Sequence, residues 1–344
     1  MATLTTASRF RVRGGIGSRL FLAVLAFVVI AAVAFMVGPR NAFGPNVPTQ
    51  RAGPPQSITA LDAWIQTSEA AYSDIKPGNA KGIVWHAPDR QRTPWAVVYI
   101  HGFSASRLET APVTELVAKS LGANVFYTRL AGHGRSGPAM GEATVQDWMA
   151  DAIEAVKIGQ LLGERVLVIS CSTGSTLATW LATSNEAQRV AAHAFISPNF
   201  GPKDKKAELI NGPWGQHIAL ALEGETRGWT PEDPRETNAW TTRYPTRALF
   251  PMMAMVKAVR TSDLSLFQTP VLVLYSEQDQ TVDPLETQSA FARIGAPLKT
   301  IETVTYSKSK GQHVLAGEIK APEASAPMAA TIAQWTKALP KQGN

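Results

Sequence analysis

Val166-Leu-Val-Ile-Ser-Cys-Ser-Thr-Gly-Ser-Thr-Leu-Ala178 decides how this chain is read. A β-branched apolar run stops at a small–x–Ser–x–small pentad, Ser170 to Gly174, and helix-compatible residues follow. This is the pattern of a strained strand-to-helix turn that lifts one serine hydroxyl above a sheet edge. The positions two before and two after that serine must be small, because the turn drives their Cα atoms against neighbouring strands. Only Ser172 meets this on both sides. Centring on Cys171 puts Ile169 and Thr173 there, centring on Ser170 puts Val168 and Ser172, and Ser175 would need Thr173 and Leu177. Ser170 stands where glycine is usual. Taken alone, the pentad reads equally well as an ordinary Ser/Thr-rich strand end.

Around it, strand-like and helix-like stretches alternate. Residues 82–86, 94–101, 123–128, 165–170, 190–197, 270–275 and 299–305 have strand character. Residues 111–121, 145–162, 284–294 and 322–339, and those from the pentad to about 184, have helix character. The stretch 94–101 is almost continuously apolar, as a strand covered on both faces must be. This alternation predicts an α/β fold, with a mostly parallel central sheet and helices on both faces. A short amphipathic helix is expected over 58–72, with Leu61, Trp64, Ile65 and Ala71 available for one face.

Residues 199–267 break the alternation with Trp214, Trp229, Trp240, several prolines and a run containing Met252, Met253 and Met255. They hold helical pieces but no convincing strand, and read as a helical cap inserted between two core strands. Its methionines either line an adaptable apolar pocket or pack the cap onto the core.

The net charge of +6 is concentrated at one end. Arg9, Arg11, Arg13, Arg19, Arg40 and Arg51 lie in the first 51 residues, which hold no lysine and no acid, so the remainder is formally neutral. A nucleic-acid-binding face is therefore not expected. The arginines flank residues 20–38, 19 residues without a charge. As a helix these span about 28 Å, close to the hydrocarbon thickness of a bilayer. The excess of arginine before them predicts a cytoplasmic tail at 1–19, a transmembrane anchor at 20–38 and a catalytic portion on the non-cytoplasmic side. The rival is a cleaved signal peptide with Ala32-Val33-Ala34 at its cleavage site, but the apolar stretch exceeds the usual signal core. Residues 39–57 contain five prolines and read as an extended spacer before a domain at 58–344. Cys171 is the single cysteine, so neither an intrachain disulfide nor a cysteine-rich metal site can form. No metal or cofactor is expected.

A serine hydroxyl is a weak nucleophile at neutral pH and needs a base, an orienting acid and an oxyanion hole. Where the nucleophile sits on a strand-to-helix turn of this type, acid and histidine follow it in that order. Asp279 lies just beyond the strand at 270–275, and His313 follows the last strand. His193 and His217 precede Asp279, which leaves His313 as the expected base. Asp283 is the rival acid, but it stands before Pro284, where it would cap the next helix. Backbone amides of Thr173, at the start of a helix, and of Phe103, after the glycine of His101-Gly102-Phe103, are expected to form the oxyanion hole. His101 is expected to brace that loop.

Four motifs in this order, His101-Gly-Phe, Arg129-Leu-Ala-Gly-His133-Gly-Arg-Ser136-Gly, Ser170-Cys-Ser172-Thr-Gly174, and Asp279 with His313, carry a resemblance. Over roughly residues 80–338 the chain resembles α/β-hydrolases of the serine esterase, lipase and monoacylglycerol-lipase-like group. The resemblance implies the α/β-hydrolase fold, a Ser172–His313–Asp279 triad, an acyl-enzyme, and a structural role for the Gly132–Ser136 loop. The substrate expected is a carboxylic ester, lipid-like or otherwise hydrophobic. Within the same fold an aminopeptidase, amidase, thioesterase or C–C hydrolase would use the same triad, and a membrane-tethered binding module would keep the fold without the chemistry. An aspartate nucleophile, as in haloalkane dehalogenases, is excluded by Ser172.

Overall fold

The computed structural model describes residues 16–340. In chain order the strands are β1 (Gly82–Val84), β2 (Thr93–Ile100), β3 (Asn124–Tyr127), β4 (Gly163–Cys171), β5 (Ala192–Ile196), β6 (Thr226–Gly228), β7 (Arg243–Pro245), β8 (Val271–Tyr275) and β9 (Lys299–Thr303). The helices are α1 (Ile16–Met36), α2 (Leu61–Glu69), α3 (Val113–Leu121), α4 (Val145–Leu162), α5 (Thr173–Ala182), α6 (Gly215–Glu223), α7 (Glu236–Ala239), α8 (Leu249–Thr261), α9 (Pro284–Arg293) and α10 (Pro322–Ala338). Seven strands form one sheet in the order β1-β3-β2-β4-β5-β8-β9. Only β1, at an edge, runs antiparallel to its neighbour.

Alternation along each strand builds two cores. Ala96, Val98 and Ile100 of β2 and Val166 and Val168 of β4 face α4, α5 and α8. Val97 and Tyr99, with Leu167, Ile169 and Cys171, face α3 and α10. Each fully buried aliphatic side chain adds about 1.5–3 kcal/mol, so two continuous apolar faces hold the sheet without a disulfide. The helix α4 begins with a capping box in which Thr144 and Asp147 satisfy each other's backbone donors.

Strands β5 and β8 are separated in sequence by the cap. Its helices α6 and α8 are joined by a stretch containing a ribbon, exposed β6 paired antiparallel with β7. This ribbon is not signalled by the sequence, because its three-residue strands carry no alternating apolar pattern and one ends at Pro245. Of the methionines, Met252 lines the central cavity, while Met253 and Met255 are buried in the packing of α8.

Near the N-terminus, α1 contains a 20-residue stretch, Gly17–Met36, long and apolar enough to cross a membrane. The arginines at 9, 11 and 13 lie outside the described residues. The helix stops short of the expected end of the anchor because Gly38 and Pro39 cannot extend it. The proline-rich stretch that follows is extended, but it lies along the domain as a strap. Gly38 is seated on the Trp214 ring, where an added Cβ would come within 2.0 Å of the indole nitrogen. The backbone N–H of Trp214 donates to Pro39 O at 2.7 Å, and Asn41 Nδ2 donates to Phe250 O at 2.8 Å. Further along, Trp180 Nε1 donates to Asn46 Oδ1 at 2.7 Å, Thr49 N–H to Gln146 O at 3.0 Å, and Arg51 pairs with buried Asp151. Composition predicts extension; the docking comes from contacts 97 to 209 residues away in sequence.

Candidate active site

Strand β4 runs into α5 through one residue of high strain. Ser172 has φ 50° and ψ −120°, a conformation that costs a non-glycine residue about 1–3 kcal/mol. The surroundings hold it there: Ser172 N–H donates to Ile196 O at 3.0 Å, and Ser172 O accepts from Asn199 N–H at 3.1 Å. Gly174 is required, since a Cβ at that position would sit 2.3 Å from Ile100 O. Ser170, the departure from the usual glycine, is buried and its hydroxyl lies 3.0 Å from that of Ser175. Cys171 points to the opposite face of the sheet, where burial pushes its thiol above the ordinary value. It is thus poorly suited to act as a thiolate.

The loops after β8 and β9 bring the other expected residues to this turn. His313 Nε2 lies 2.9 Å from Ser172 Oγ, and His313 Nδ1 lies 2.7 Å from Asp279 Oδ2. The second oxygen of Asp279 accepts the N–H groups of Thr281 at 2.7 Å and Val282 at 2.9 Å, which fixes the carboxylate plane. Burial works against a charged His313, but the charge and hydrogen bond of Asp279, with a smaller contribution from Glu109, outweigh it and raise the imidazole above its ordinary value. Asp283 is not brought to the histidine. It accepts the Leu285 N–H at 3.0 Å as the N-cap of α9 and pairs with Lys205.

Phe103 and Thr173 line the same cavity as Ser172. The Thr173 amide is the first of α5, so it has no intrahelical acceptor. His101 braces the β2 turn: its Nε2 accepts the Leu130 N–H at 3.1 Å, so Nδ1 carries the proton and donates to Gly102 O at 2.9 Å. Burial lowers His101 to about 4 and holds His133 well below its usual value, so both stay neutral. The Phe103 ring meets His133, Trp148 and Tyr244 edge-on, at centroid distances of 5.5–6.3 Å. Those contacts tie the loop to the core and to the cap.

A cavity of about 390 Å³ opens above Ser172, walled by Phe103, Trp240, Tyr244, Leu249 and Met252. It continues past His313 into a polar vestibule of about 650 Å³. The acids along the vestibule are paired: Glu232 with Lys310, Asp233 with Arg235 and Glu236 with Lys320. Among the described residues no cluster of three or more His, Cys, Asp or Glu side chains could hold a metal ion. Sequence reasoning missed Glu109, a buried carboxyl beside this cavity. Its only sequence signal is an acid seven residues beyond a buried glycine turn.

A family profile described as serine aminopeptidase, S33, matches residues 91–318. A thermostable monoacylglycerol lipase of Bacillus sp. is 26% identical over 208 residues, which is 60% of this chain and 80% of the lipase. Among solved structures, one of a pair of metagenome-derived lipolytic enzymes, LipS and LipT, superposes with a TM-score of 0.60 at 18% identity, over 76% of this chain and 99% of that one. A soluble variant of monoglyceride lipase from Saccharomyces cerevisiae gives 0.58 at 13% identity, over 74% of this chain and 90% of that one. The structural matches establish the fold, and the profile covers more than half of the sequence. The chain therefore belongs to the α/β-hydrolase family described as serine aminopeptidase, S33, with lipases and esterases among its relatives.

Proposed function

We propose that this protein is a membrane-anchored serine hydrolase that cleaves carboxylic esters with lipid-like or other hydrophobic acyl groups. The observation that carries the reading is the line from Asp279 through His313 to Ser172, with contacts of 2.7 and 2.9 Å, on a strained turn at the mouth of an apolar cavity. His313 takes the Ser172 proton as Oγ attacks the acyl carbon, while Asp279 holds the tautomer and stabilises the imidazolium. The developing oxyanion is received by the Phe103 and Thr173 amides. Collapse expels the alcohol, which takes the proton from His313. Water, deprotonated by the same nitrogen, then attacks the acyl-enzyme, and release of the acid returns the proton to Ser172.

The apolar walls of the cavity support a hydrophobic acyl group. The strap supports a bilayer-borne one. Gly38, two residues after α1, contacts Trp214 on a cap rim that exposes Leu209 by 58% and Leu222 by 77%. With α1 as an uncleaved anchor, that rim stands at the membrane surface, on the non-cytoplasmic side by the arginine bias.

The family description favours a second reading, an aminopeptidase. Recognition of a peptide's amino terminus calls for a carboxylate free to take an ammonium group near the nucleophile, whereas the acids along the vestibule are each held by a cation and Glu109, at the cavity wall, is 2% exposed and already accepts the Gly102 N–H and the Tyr99 hydroxyl. Ester hydrolysis is therefore preferred. The test uses the full-length protein in detergent, a fluorophosphonate probe, and p-nitrophenyl esters of increasing chain length beside aminoacyl substrates. Labelling at Ser172 with turnover rising towards medium or long acyl chains is expected. Labelling that survives Ser172→Ala, or turnover confined to aminoacyl substrates, would overturn the reading. A reporter fused after Asn344 that is active only in the cytoplasm would overturn the topology.

A further inference from the structure

Behind the turn that follows β2 lies a carboxyl with no part in the steps above. Glu109 is 2% exposed, although it belongs to a short 3-10 turn, Arg107–Glu109. Its Oε1 accepts the Gly102 N–H at 2.6 Å and the Tyr99 hydroxyl at 2.9 Å. Thr110 Oγ1 donates in turn to the Tyr99 oxygen at 2.7 Å. Oε2 lies 3.0 Å from the point where a side chain on Gly102 would begin, and Ser172 Cβ lies 3.2 Å from that same point. The carboxyl thus lines the catalytic cavity directly beneath the nucleophile.

The titratable groups that face it are Tyr99 from β2, Cys171 from β4 and His313 from the loop after β9. Lys320 borders the same cavity but is held by Glu236 at 2.7 Å. Among the described residues no lysine or arginine pairs with Glu109.

We propose that Glu109 is a positioning residue that works as the neutral acid, holding Gly102 so that the next amide, Phe103 N–H, faces the oxyanion. Loss of its proton weakens catalysis. This rests on the assignment of Ser172, His313 and the oxyanion hole proposed above. The Gly102 amide is buried, so its acceptor fixes one peptide plane immediately before the donor that matters. Burial pushes the Glu109 carboxyl up, opposed by the Gly102 amide and the Tyr99 hydroxyl, to about 7.

Below that pH the acid is neutral and accepts both hydrogen bonds at no electrostatic cost to the reaction. Above it, a full negative charge stands beside the developing oxyanion in a cavity with apolar walls. The same charge also attracts the His313 imidazolium. There, however, Asp279 is already the counter-ion and Glu109 is the smallest contributor. The oxyanion has only the partial charges of two amides, so it bears the larger loss.

The experiment compares pH profiles of kcat and KM, on a short soluble ester, for the full-length wild type, Glu109→Gln and Glu109→Ala. Gln can accept from Gly102 and Tyr99 but cannot ionise. Glu109→Gln is expected to keep kcat within about 3-fold at acidic pH and to lose the alkaline decline. Glu109→Ala is expected to lower kcat by about 10- to 100-fold with KM nearly unchanged, as loss of an oxyanion donor's support should. Fluorophosphonate labelling at Ser172 reports whether the site itself is intact. Labelled wild type with the same pH profile in Glu109→Gln would overturn this proposal alone. Unlabelled wild type would overturn the reading of Ser172 and this proposal with it.

Discussion

The turn from β4 into α5 and the cap between β5 and β8 are both rich in chemically useful residues, yet they are built on opposite principles. At the turn, nearly every determinant lies within a dozen residues: a buried strand, Ser172 at positive φ, Gly174 with no room for a Cβ, and a helix start. In the cap, each determinant is a contact between distant parts of the chain. Trp214 meets Gly38, Asn211 meets Asn41, and Tyr244 meets Phe103. The difference teaches that local strain can be written in a motif, whereas the shape of a cavity wall cannot.

If the turn holds the chemistry, its substitutions must cost far more than any in the cap. Ser172→Ala is expected to lower kcat by about 10⁴- to 10⁶-fold with an unchanged circular dichroism spectrum, measured by ester turnover. A loss below tenfold would remove the turn from the centre of the molecule. Asp279→Asn comes next, with a loss of about 10³- to 10⁴-fold, because the amide stabilises the wrong imidazole tautomer. The contrasting variant Asp283→Ala is expected to keep activity and lose about 1 kcal/mol from the start of α9, seen in thermal unfolding. The reverse outcome would exchange the two acids.

The pH dependence belongs to the same comparison. Asp279 holds His313 above its ordinary value, so activity should rise with pH through a limb lying above the 6.5 of an unperturbed imidazole. In Asp279→Asn the residual activity should rise at lower pH, because the partner that raised the imidazole has lost its charge. A limb that stays in place would show that a different group titrates.

The cap should alter preference rather than chemistry. Met252→Phe narrows the cavity and is expected to shift the optimum to shorter acyl chains, changing the ratio of short- to long-chain kcat/KM by about 10- to 100-fold. The smallest effect is expected at the strap. Gly38→Val must displace the Trp214 ring, and should lower the unfolding temperature of the full chain by about 2–4 °C, a cost near 1 kcal/mol. It should also reduce turnover of esters embedded in vesicles by about 3- to 10-fold, while leaving a soluble short-chain ester within twofold. Equal loss on both substrates would mean that the strap acts on stability alone.

Much of this was legible in the sequence, for identifiable reasons. The inner strands β2, β4 and β8 stood out because strands covered on both faces are almost continuously apolar. The helix α4 was readable to its ends because Thr144 and Asp147 form a capping box and Gly163 closes it. Ser172, Asp279 and His313 were singled out by their order along the chain, and the structure brings them within hydrogen-bonding distance. The β6–β7 ribbon went unseen because β6 is exposed throughout and both strands are too short to show a period. Glu109 went unseen because nothing local marks an acid whose partners are a strand tyrosine and a turn amide.

By itself the sequence determined the α/β alternation, the position of the sharp turn and the residue types around it. These follow from period, volume and backbone conformation, which act over a few residues. The tertiary structure alone decided where the proline-rich strap lies, which methionine reaches the cavity, and that a carboxyl is buried behind the turn after β2. Each of those depends on what the fold brings within about 3 Å from elsewhere in the chain, the range over which hydrogen bonds and packing act.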